Sequence, residues 1–567
     1  MRVSSTTIVS TLLTILVAAA LISRLAGFGL AWLPGAGMLA VLLAALQLAT
    51  AAIRAPRPRE EWRRFFITHA FGIALGLAVV LSLIVRLPGL DGDLGHTPLD
   101  IDESRLASSV KHFFDTGQLE HLTVEHYPGA VFWLFTLASF LYYLRDLTSG
   151  VEVAPSQLSI STFVLAARMA NVLVAAATVA ITGLLGRRLS GSGAGLMAAV
   201  LVAIVPLSVE TTTLVRNDPG MALAVTAASY AALVFHENKR RSWLVFAGAL
   251  AGTATAIKYS SVFAIVPVLI AAACDGVMRE RLERAALAVL GFCAAIGVTN
   301  HFVWWDFPNF LRQLAAQVVL TASSHWAATA NPSAFYVMIL DRFGPGWPLL
   351  LLAAAFAVYG LCSRKIPLWI FLSFPLLYLW FMTKRPAQFP RWVYPLLPFV
   401  AVAGASSLRA AVTFVRARAA GRPRRVSLAA RLAIPLLVFA VLAEPAWSGA
   451  VSFSRRMTRP THTLVEAWLE ANVPPGSVVV LDVNWLDLSG SQLVVRRVDL
   501  DALLHGGIEG LAGSDWVVVP EPYFGNPMLR RLGFVQRFHA EQSFGGRVGS
   551  DFEVYAIPKI PGHAPGF

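Results

Sequence analysis

Long apolar stretches separated by short charged loops dominate the pattern of this chain. A membrane-spanning helix needs roughly 20 mostly apolar residues, and about thirteen such stretches fit between residues 6 and 448. The pattern therefore predicts an all-α polytopic membrane protein with about 13 transmembrane helices. One further apolar stretch, 128–144, is ambiguous as a span.

The arginine-rich loops decide the orientation of the helices. Segments 54–64 and 416–425 hold five Arg each, and a Lys-Arg-Arg run occupies 239–241. Cytoplasmic loops carry an excess of Lys and Arg. All basic clusters fall on one side only if 128–144 does not span, so we expect that stretch to form a helix on the outer surface. The N-terminus is then cytoplasmic and the C-terminal tail extracytoplasmic.

Three regions follow from this topology. Residues 1–64 hold two additional N-terminal transmembrane helices and a basic cytoplasmic loop, and residues 65–448 form the transmembrane core with a long external loop at 88–160. The tail, 449–567, changes character: THTLVEAWLEANVPPGSVVVLDV predicts an amphipathic helix, a turn and a buried strand. SDWVVVPEP and FEVYAIP predict two more strands, which makes the tail a small extracytoplasmic α/β domain.

Composition excludes several classes of protein. Of the 567 residues, 56% are hydrophobic and 14% charged, whereas a soluble domain carries about 25% charged residues. The net charge of +13 is explained by the basic loops, so no nucleic-acid partner is expected. Cys274, Cys293 and Cys362 show neither the spacing of a metal site nor that of a disulfide framework.

Acidic residues cluster at the predicted outer membrane face. The run LDIDESR places Asp102 and Glu103 soon after a span, and RNDP places Asp218 at the outer end of another. Carboxylates at a membrane face are costly and usually have a function. The alternative for each is a helix start, because Asp and Glu favour helix N-termini.

Several other polar residues lie on the same predicted side. The run EHYPG brings Glu125 and His126 together before the surface stretch, and its alternative is a plain turn. Lys258, Arg385 and Arg391 lie in external loops, against the positive-inside tendency, and suit an anionic lipid head group. They could instead be snorkelling anchors.

One more arginine lies inside a predicted span. Arg168, in AARMANVL, needs an acidic or phosphate partner by default.

The order of these motifs resembles the GT-C superfamily of integral-membrane glycosyltransferases. It looks most like the branch of protein O-mannosyltransferases and bacterial aminoarabinose transferases that modify lipid A. In that branch the first long external loop opens with an Asp-Glu pair, here Asp102–Glu103, and a Pro-containing motif, here EHYPGAVFW, starts a surface helix. An Arg begins the next span, here Arg168, and an acidic residue follows two spans later, here Asp218.

Two later motifs extend the resemblance. Lys258 matches the Lys that the family has near an external helix turn. The run RWVYPLLPFVAVAGA, which contains Arg391 and Tyr394, resembles the family's Arg/Tyr-Pro-x-x-Pro helix.

The resemblance implies an inverting transfer from a polyprenyl-phosphate-linked sugar to an acceptor hydroxyl or phosphate on the extracytoplasmic face. Asp102 would act as general base, Glu103 would orient the site, and Asp218 would bind the acceptor or hold the geometry of Asp102. The residues expected to bind the lipid phosphate or the acceptor are Glu125, His126, Arg168, Lys258, Arg385, Arg391 and Tyr394.

The expected partners are the lipid-linked donor, an acceptor that is a lipid, a glycan or a protein, and membrane lipids. No cofactor is expected, although a divalent metal, as in oligosaccharyltransferases, is the alternative. The expected location is a bacterial inner membrane.

A flippase or transporter of lipid-linked sugars is the competing function. It should show paired half-repeats or helices broken near the midplane, and the sequence shows neither.

Overall fold

The computed structural model describes most of the chain from residue 59 onward. The described residues are 59–91, 101–118, 129–148, 154, 157–300, 303, 306–323, 331–385, 388–419, 424–457, 461–482, 486, 488, 491–498, 511, 513–520, 535–540 and 552–557. The two predicted spans within 6–53 lie outside these residues. The chain divides into two compact units, Met1–Ala74 and Leu75–Phe567.

Helices form almost all of the described chain up to residue 472. In chain order the α-helices are α1 (Arg59–Ile84), α2 (Ile101–Thr116), α3 (Gly129–Thr148), α4 (Ile160–Ser190), α5 (Ser192–Ile204), α6 (Pro206–Thr212), α7 (Asp218–Asn238), α8 (Arg241–Ile257), α9 (Ile265–Ala273), α10 (Met278–Thr299), α11 (Phe307–Ser323), α12 (Pro332–Arg342), α13 (Gly346–Cys362), α14 (Ile366–Met382), α15 (Leu397–Ala419), α16 (Arg424–Arg456) and α17 (Thr461–Asn472). Two 3₁₀-helices, Tyr259–Ala264 and Pro390–Leu396, precede α9 and α15.

Several of these helices have the length and composition of a membrane span. Within the described residues six helices are long and apolar enough to cross a membrane, or up to eight if each of two bent pairs forms one span. These numbers agree with a multi-pass membrane protein, and the count of thirteen spans stays a prediction. Helix α3 is among the six, so its predicted place on the outer surface also stays a prediction.

A sharp break separates α5 from α6, whose axes differ by 57°. Pro206 has no N–H to donate to the carbonyl of Val202, which lies four residues earlier. The N–H of Leu207 donates to the carbonyl of Phe343 at 2.7 Å instead of to that of Ala203. The break therefore leaves the carbonyls of Val202 and Ala203 without their usual partners in the helix.

Glycines allow α8 and α10 to approach at backbone distance. A Cβ atom at Gly248 would overlap the carbonyl of Ala288, and one at Gly252 would overlap the carbonyl of Phe292. From the opposite side, a Cβ atom at Gly291 would overlap a carbonyl of α8. Small residues at such contacts are typical of helix pairs in membranes.

The tail contains a five-stranded mixed sheet. The strands are β1 (Val478–Asp482), β2 (Val494–Val498), β3 (Trp516–Pro520), β4 (Val535–Ala540) and β5 (Phe552–Ala556). Their order in the sheet is β2-β1-β3-β5-β4. Strand β1 pairs in parallel with β2 and β3, and β5 pairs antiparallel with β3 and β4.

The helix α17 contributes to the core of this tail. Val465 and Leu469 of α17 are buried in one apolar cluster with Val479, Val518 and Val554 of the sheet. Strands β1, β3 and β5 coincide with the three segments that the sequence pattern singled out, and β2 and β4 are additional.

Candidate functional site: two buried acidic residues and their cations

Glu103, in the first turn of α2, is held by two hydrogen bonds from Arg168 of α4. The Nε atom of Arg168 donates to Oε1 at 2.8 Å and its NH2 group donates to Oε2 at 2.7 Å. Both side chains are buried, at 1% exposure or less. Bidentate Arg–carboxylate pairs are the strongest and most directional ion pairs in proteins. The pair therefore fixes the start of α2 against α4.

The same carboxylate reaches the segment that leads into α7. Oε1 of Glu103 accepts a hydrogen bond from the backbone N–H of Val215 at 2.8 Å. Asn171 of α4 donates to the carbonyls of Leu214 and Arg216 at 2.7 and 3.0 Å. Because these bonds hold the backbone directly before α7, Glu103 helps to position the residue with which that helix begins.

That first residue is Asp218, and its carboxylate lies between two cations. Oδ1 is 2.7 Å from Nζ of Lys258, which connects α8 to the first 3₁₀-helix. Oδ2 is 3.8 Å from Nε of Arg391, in the second 3₁₀-helix. Asp218 is fully buried, whereas the side chains of Lys258 and Arg391 are 18% and 21% exposed. We call Asp218, Lys258 and Arg391 the cation cluster.

The cation cluster is suited to an anionic ligand. Two positive groups around one carboxylate leave a formal charge of +1, and only the cations retain exposed surface. Nζ of Lys258 also lies 5.4 Å from the ring of Trp392, within the range of a cation–π contact. A phosphate could therefore bind on the exposed side while Asp218 keeps the two cations together.

Three more of the predicted binding residues lie within the described part of the chain. Arg168 is buried with Glu103, and its expected role in substrate binding stays a prediction. Tyr394 is fully buried in the second 3₁₀-helix, so its side chain offers no surface to a ligand. Arg385 lies over the ring of Phe381 at 4.6 Å, and among the described residues it forms no ion pair with Asp218.

Three predicted site residues have side chains outside the described part of the structure, so their distances to the cation cluster are not defined. Asp102 lies in α2, but its side chain is outside what the structure describes. Glu125 and His126 lie in 119–128, which is also outside the described residues.

A buried arginine that the sequence reading missed lies close by. Arg86 follows α1, has no exposed surface and donates to acceptors on three segments of the chain. Two of them are the carbonyls freed at the break before Pro206. A lone Arg at the end of the apolar run VLSLIVRL was the available signal. Its acceptors are the side chain and carbonyl of Ser82, the carbonyls of Val202 and Ala203, and the hydroxyls of Ser208 and Thr212.

Arg456, at the end of α16, holds the same region from another side. It donates to the carbonyl of Pro88 at 3.0 Å and to the hydroxyl of Thr213 at 2.6 Å. Burial lowers the pKa of Arg456 to about 10, so its guanidinium stays charged at neutral pH. Arg86 and Arg456 therefore stabilise the two ends of the stretch between α5 and α7.

The described carboxylates of this region do not form a ready site for a divalent metal. Glu103 is paired with Arg168, and Asp218 is paired with Lys258 and Arg391. A metal ion at Asp218 would have to displace or oppose two neighbouring cations. No metal ion is therefore assigned to Glu103 or Asp218.

Comparisons with known proteins agree with the arrangement of the helices. The family model described as dolichyl-phosphate-mannose-protein mannosyltransferase matches residues 159–305, which include Arg168, Asp218 and Lys258. No curated protein matches the chain in sequence.

Two solved structures resemble most of the chain. The apo oligosaccharyltransferase of Archaeoglobus fulgidus has a TM-score of 0.51 and 12% identity, and the match covers 86% of this chain and 74% of that one. ArnT from Cupriavidus metallidurans, bound to undecaprenyl phosphate, has a TM-score of 0.50 and 13% identity, with 86% and 98% covered. The resemblance to the GT-C superfamily of membrane glycosyltransferases is thereby confirmed, and the chain has the fold of that superfamily.

Proposed function

We propose that this protein is a membrane glycosyltransferase that moves a sugar from a polyprenyl-phosphate-linked donor to an acceptor on the extracytoplasmic face. The observation that carries the proposal is the cation cluster. It pairs a buried Asp218 with two partly exposed cations, next to the segment that Glu103 holds. The solved ArnT structure, with undecaprenyl phosphate bound, supports a lipid phosphate as the ligand.

Lys258 and Arg391 are the proposed binding residues for the donor phosphate. When the bond between the sugar C1 and the phosphate oxygen breaks, negative charge grows on the leaving phosphate. Preorganised cations at that position stabilise the transition state. Asp218 acts in this proposal through the two cations that it holds, which differs from the two roles first expected of it, binding of the acceptor or holding the geometry of Asp102.

Asp102 is the proposed general base. The acceptor oxygen attacks C1 from the face opposite the phosphate, so the configuration inverts in one displacement. The acceptor proton passes to Asp102, and the free polyprenyl phosphate is the second product. A base of ordinary strength suffices because the hydroxyl becomes acidic as the new bond forms. Glu103, bound to Arg168, fixes the helix that carries Asp102.

Other parts of the chain complete the proposal. Arg385 and His126 are further contacts for the donor phosphate, and Glu125 is a contact for the acceptor. Residues 65–448 form the catalytic core, 1–64 add two helices, and the 449–567 domain lies outside the membrane and contacts the acceptor. The enzyme belongs in a bacterial inner membrane with its N-terminus in the cytoplasm.

A flippase for lipid-linked sugars is the second candidate. The bend of 57° between α5 and α6 and that of 119° between α12 and α13 favour it, because transporters use broken helices. The same cation cluster would then bind the lipid phosphate during transport without any bond being broken.

One experiment separates the two functions. The purified protein in nanodiscs is supplied with radiolabelled polyprenyl-phosphate sugars, one at a time, and release or transfer of the sugar is measured. Asp102→Asn should abolish turnover. Asp115→Asn is the matched control, since Asp115 lies on the same helix and its partly exposed side chain pairs with Lys111 one helical turn away. Movement of lipid between leaflets without turnover of any donor would favour the flippase.

A further inference from the structure

Three potential metal ligands meet at the end of α7 that is remote from Asp218. They are His236, in the last turn of α7, and Cys274 and Asp275, directly after α9. Nδ1 of His236 is 3.2 Å from Sγ of Cys274, and that sulfur is 3.4 Å from Oδ2 of Asp275. All three ligand atoms lie within 4.8 Å of one another.

These separations agree with a tetrahedral zinc site. Zn²⁺ binds sulfur at about 2.3 Å and nitrogen or oxygen at about 2.0–2.2 Å, which places neighbouring ligands about 3.5 Å apart. Nitrogen, sulfur and carboxylate oxygen are the ligands that Zn²⁺ takes in proteins. One thiolate and one carboxylate would also match the double charge of the ion.

A positive group already occupies this position. Nζ of Lys239 contacts the carboxylate of Asp275, and it lies 3.5 Å from Nδ1 of His236 and 3.9 Å from Sγ of Cys274. The hydrogen bond that Lys239 donates to Asp275 holds the pKa of the Asp275 carboxyl below its usual value. The three side chains thus surround a cation, and the ammonium marks where a metal ion would lie.

We propose that His236, Cys274 and Asp275 bind a divalent transition metal ion, Zn²⁺ in the first place, in exchange for the ammonium group of Lys239. The fourth ligand would be water. The three cysteines of the chain are free, and the predicted topology places this end in the cytoplasm, where thiols stay reduced. Sequence spacing did not reveal the site because His236 and Cys274 are 38 residues apart.

The position of the site suggests its role. His236 lies about 27 Å along α7 from Asp218, at a rise of 1.5 Å per residue. The second element, α9, follows the 3₁₀-helix that begins after Lys258. A bound metal would therefore link the cytoplasmic ends of the two elements whose opposite ends bring Asp218 and Lys258 together. It is a structural ion in this proposal and takes no part in sugar transfer.

The test uses Co²⁺ as a spectroscopic probe on the full chain in nanodiscs, after removal of metals with a chelator. We expect one Co²⁺ per chain, the intense visible bands of a tetrahedral site and a thiolate-to-cobalt charge-transfer band. Zn²⁺ should remove these bands by displacing the cobalt. Absence of stoichiometric Co²⁺ binding, or octahedral bands alone, would overturn the proposal.

Variants locate the ion. Cys274→Ser should lose the charge-transfer band, whereas Cys293→Ser, at an exposed position on α10, should retain it. His236→Asn should weaken binding by at least the roughly 10- to 100-fold that loss of a supporting hydrogen bond costs at metal sites.

Lys239→Met tests the exchange itself. It removes the competing ammonium and should tighten binding, and an unchanged affinity would show that the ion does not take the place of that group. A charge-transfer band that persists in Cys274→Ser would equally overturn the assignment. Thermal unfolding of each variant without metal identifies any substitution that disturbs the fold.

Discussion

Glu103 and Arg168 form a two-pronged ion pair, with distances of 2.7 and 2.8 Å, although 65 residues separate them in the chain. Neither side chain is exposed by more than 1%. Because Glu103 also accepts the N–H of Val215, this one carboxylate connects the helix of the proposed base to the segment that begins α7.

Removing Arg168 from its ion pair with Glu103 should lower the free energy of unfolding. Arg168→Met leaves the Glu103 carboxylate buried without its cation, which costs about 3–5 kcal/mol. We expect a clear loss of thermal stability in detergent, together with loss of transfer activity. Lys111→Met is the control, because its partner Asp115 is partly exposed and such pairs contribute about 0–1 kcal/mol. Equal stabilities of the two variants would contradict the role of the pair.

Removing a cation from the cation cluster should impair transfer more than folding. Lys258→Met takes away a group proposed to stabilise the leaving phosphate, so we expect kcat to fall by about 10²–10³. Initial rates across donor concentrations measure kcat and KM separately. Lys258→Arg should recover part of the loss because it retains the charge.

A matched lysine provides the control for this variant. Lys365→Met removes a cation at the start of α14 that donates a hydrogen bond to the hydroxyl of Tyr359 in α13, and it should leave the rates unchanged. A Lys258→Met enzyme with normal kcat would exclude Lys258 from transition-state stabilisation.

Arg86 and Pro206 should be energetically coupled. Arg86→Met deprives the carbonyls of Val202 and Ala203 of their donors, and each buried unpaired acceptor costs about 1–3 kcal/mol. Pro206→Ala restores the backbone N–H that a continuous helix would donate to Val202, so it should be less harmful in the Arg86→Met background than alone. A double-mutant cycle of unfolding free energies should give a coupling of about 0.5–3 kcal/mol. Strict additivity would contradict this account of the break.

The contact of α8 with α10 should tolerate no added side chain. Gly252→Ala places a Cβ atom on the carbonyl of Phe292, so the helices must separate and the unfolding temperature should fall. Gly76→Ala in α1 is the opposite case, since none of the described residues has an atom within 4 Å of its new Cβ atom. It should stabilise by up to about 1 kcal/mol, because Ala favours a helix over Gly. Unfolding followed by tryptophan fluorescence compares the two variants.

Length and apolar content were enough to predict a helical, multi-pass membrane protein, because a span of about 20 residues is a strong signal, while the number of spans stays a prediction. The break at Pro206 was not predicted, since 193–208 reads as one apolar stretch. The break also depends on a residue that is distant in the chain, because the N–H of Leu207 donates to the carbonyl of Phe343. The local sequence around Pro206 cannot predict that hydrogen bond.

The sequence predicted that the residues of the candidate site share one side of the membrane, but it did not predict the ion pairs between them. Asp218, Lys258 and Arg391 were expected on one face of the membrane, and the structure brings them together. That Asp218 is buried, with Lys258 at 2.7 Å and Arg391 at 3.8 Å from its carboxylate, depends on the fold of three separate elements. The role of Arg86 was not predicted, because all of its acceptors except Ser82 lie more than 110 residues later in the chain.

The distance along the chain between Arg86 and its acceptors has a consequence for biosynthesis. The carbonyl of Ala203 is 117 residues downstream, and ribosomes add roughly 5–20 residues per second. For roughly 6–23 s the guanidinium therefore exists before that acceptor has been made. The insertion machinery must keep it in a polar environment during this time, and the first described helix can reach its final environment only after α5 has followed it.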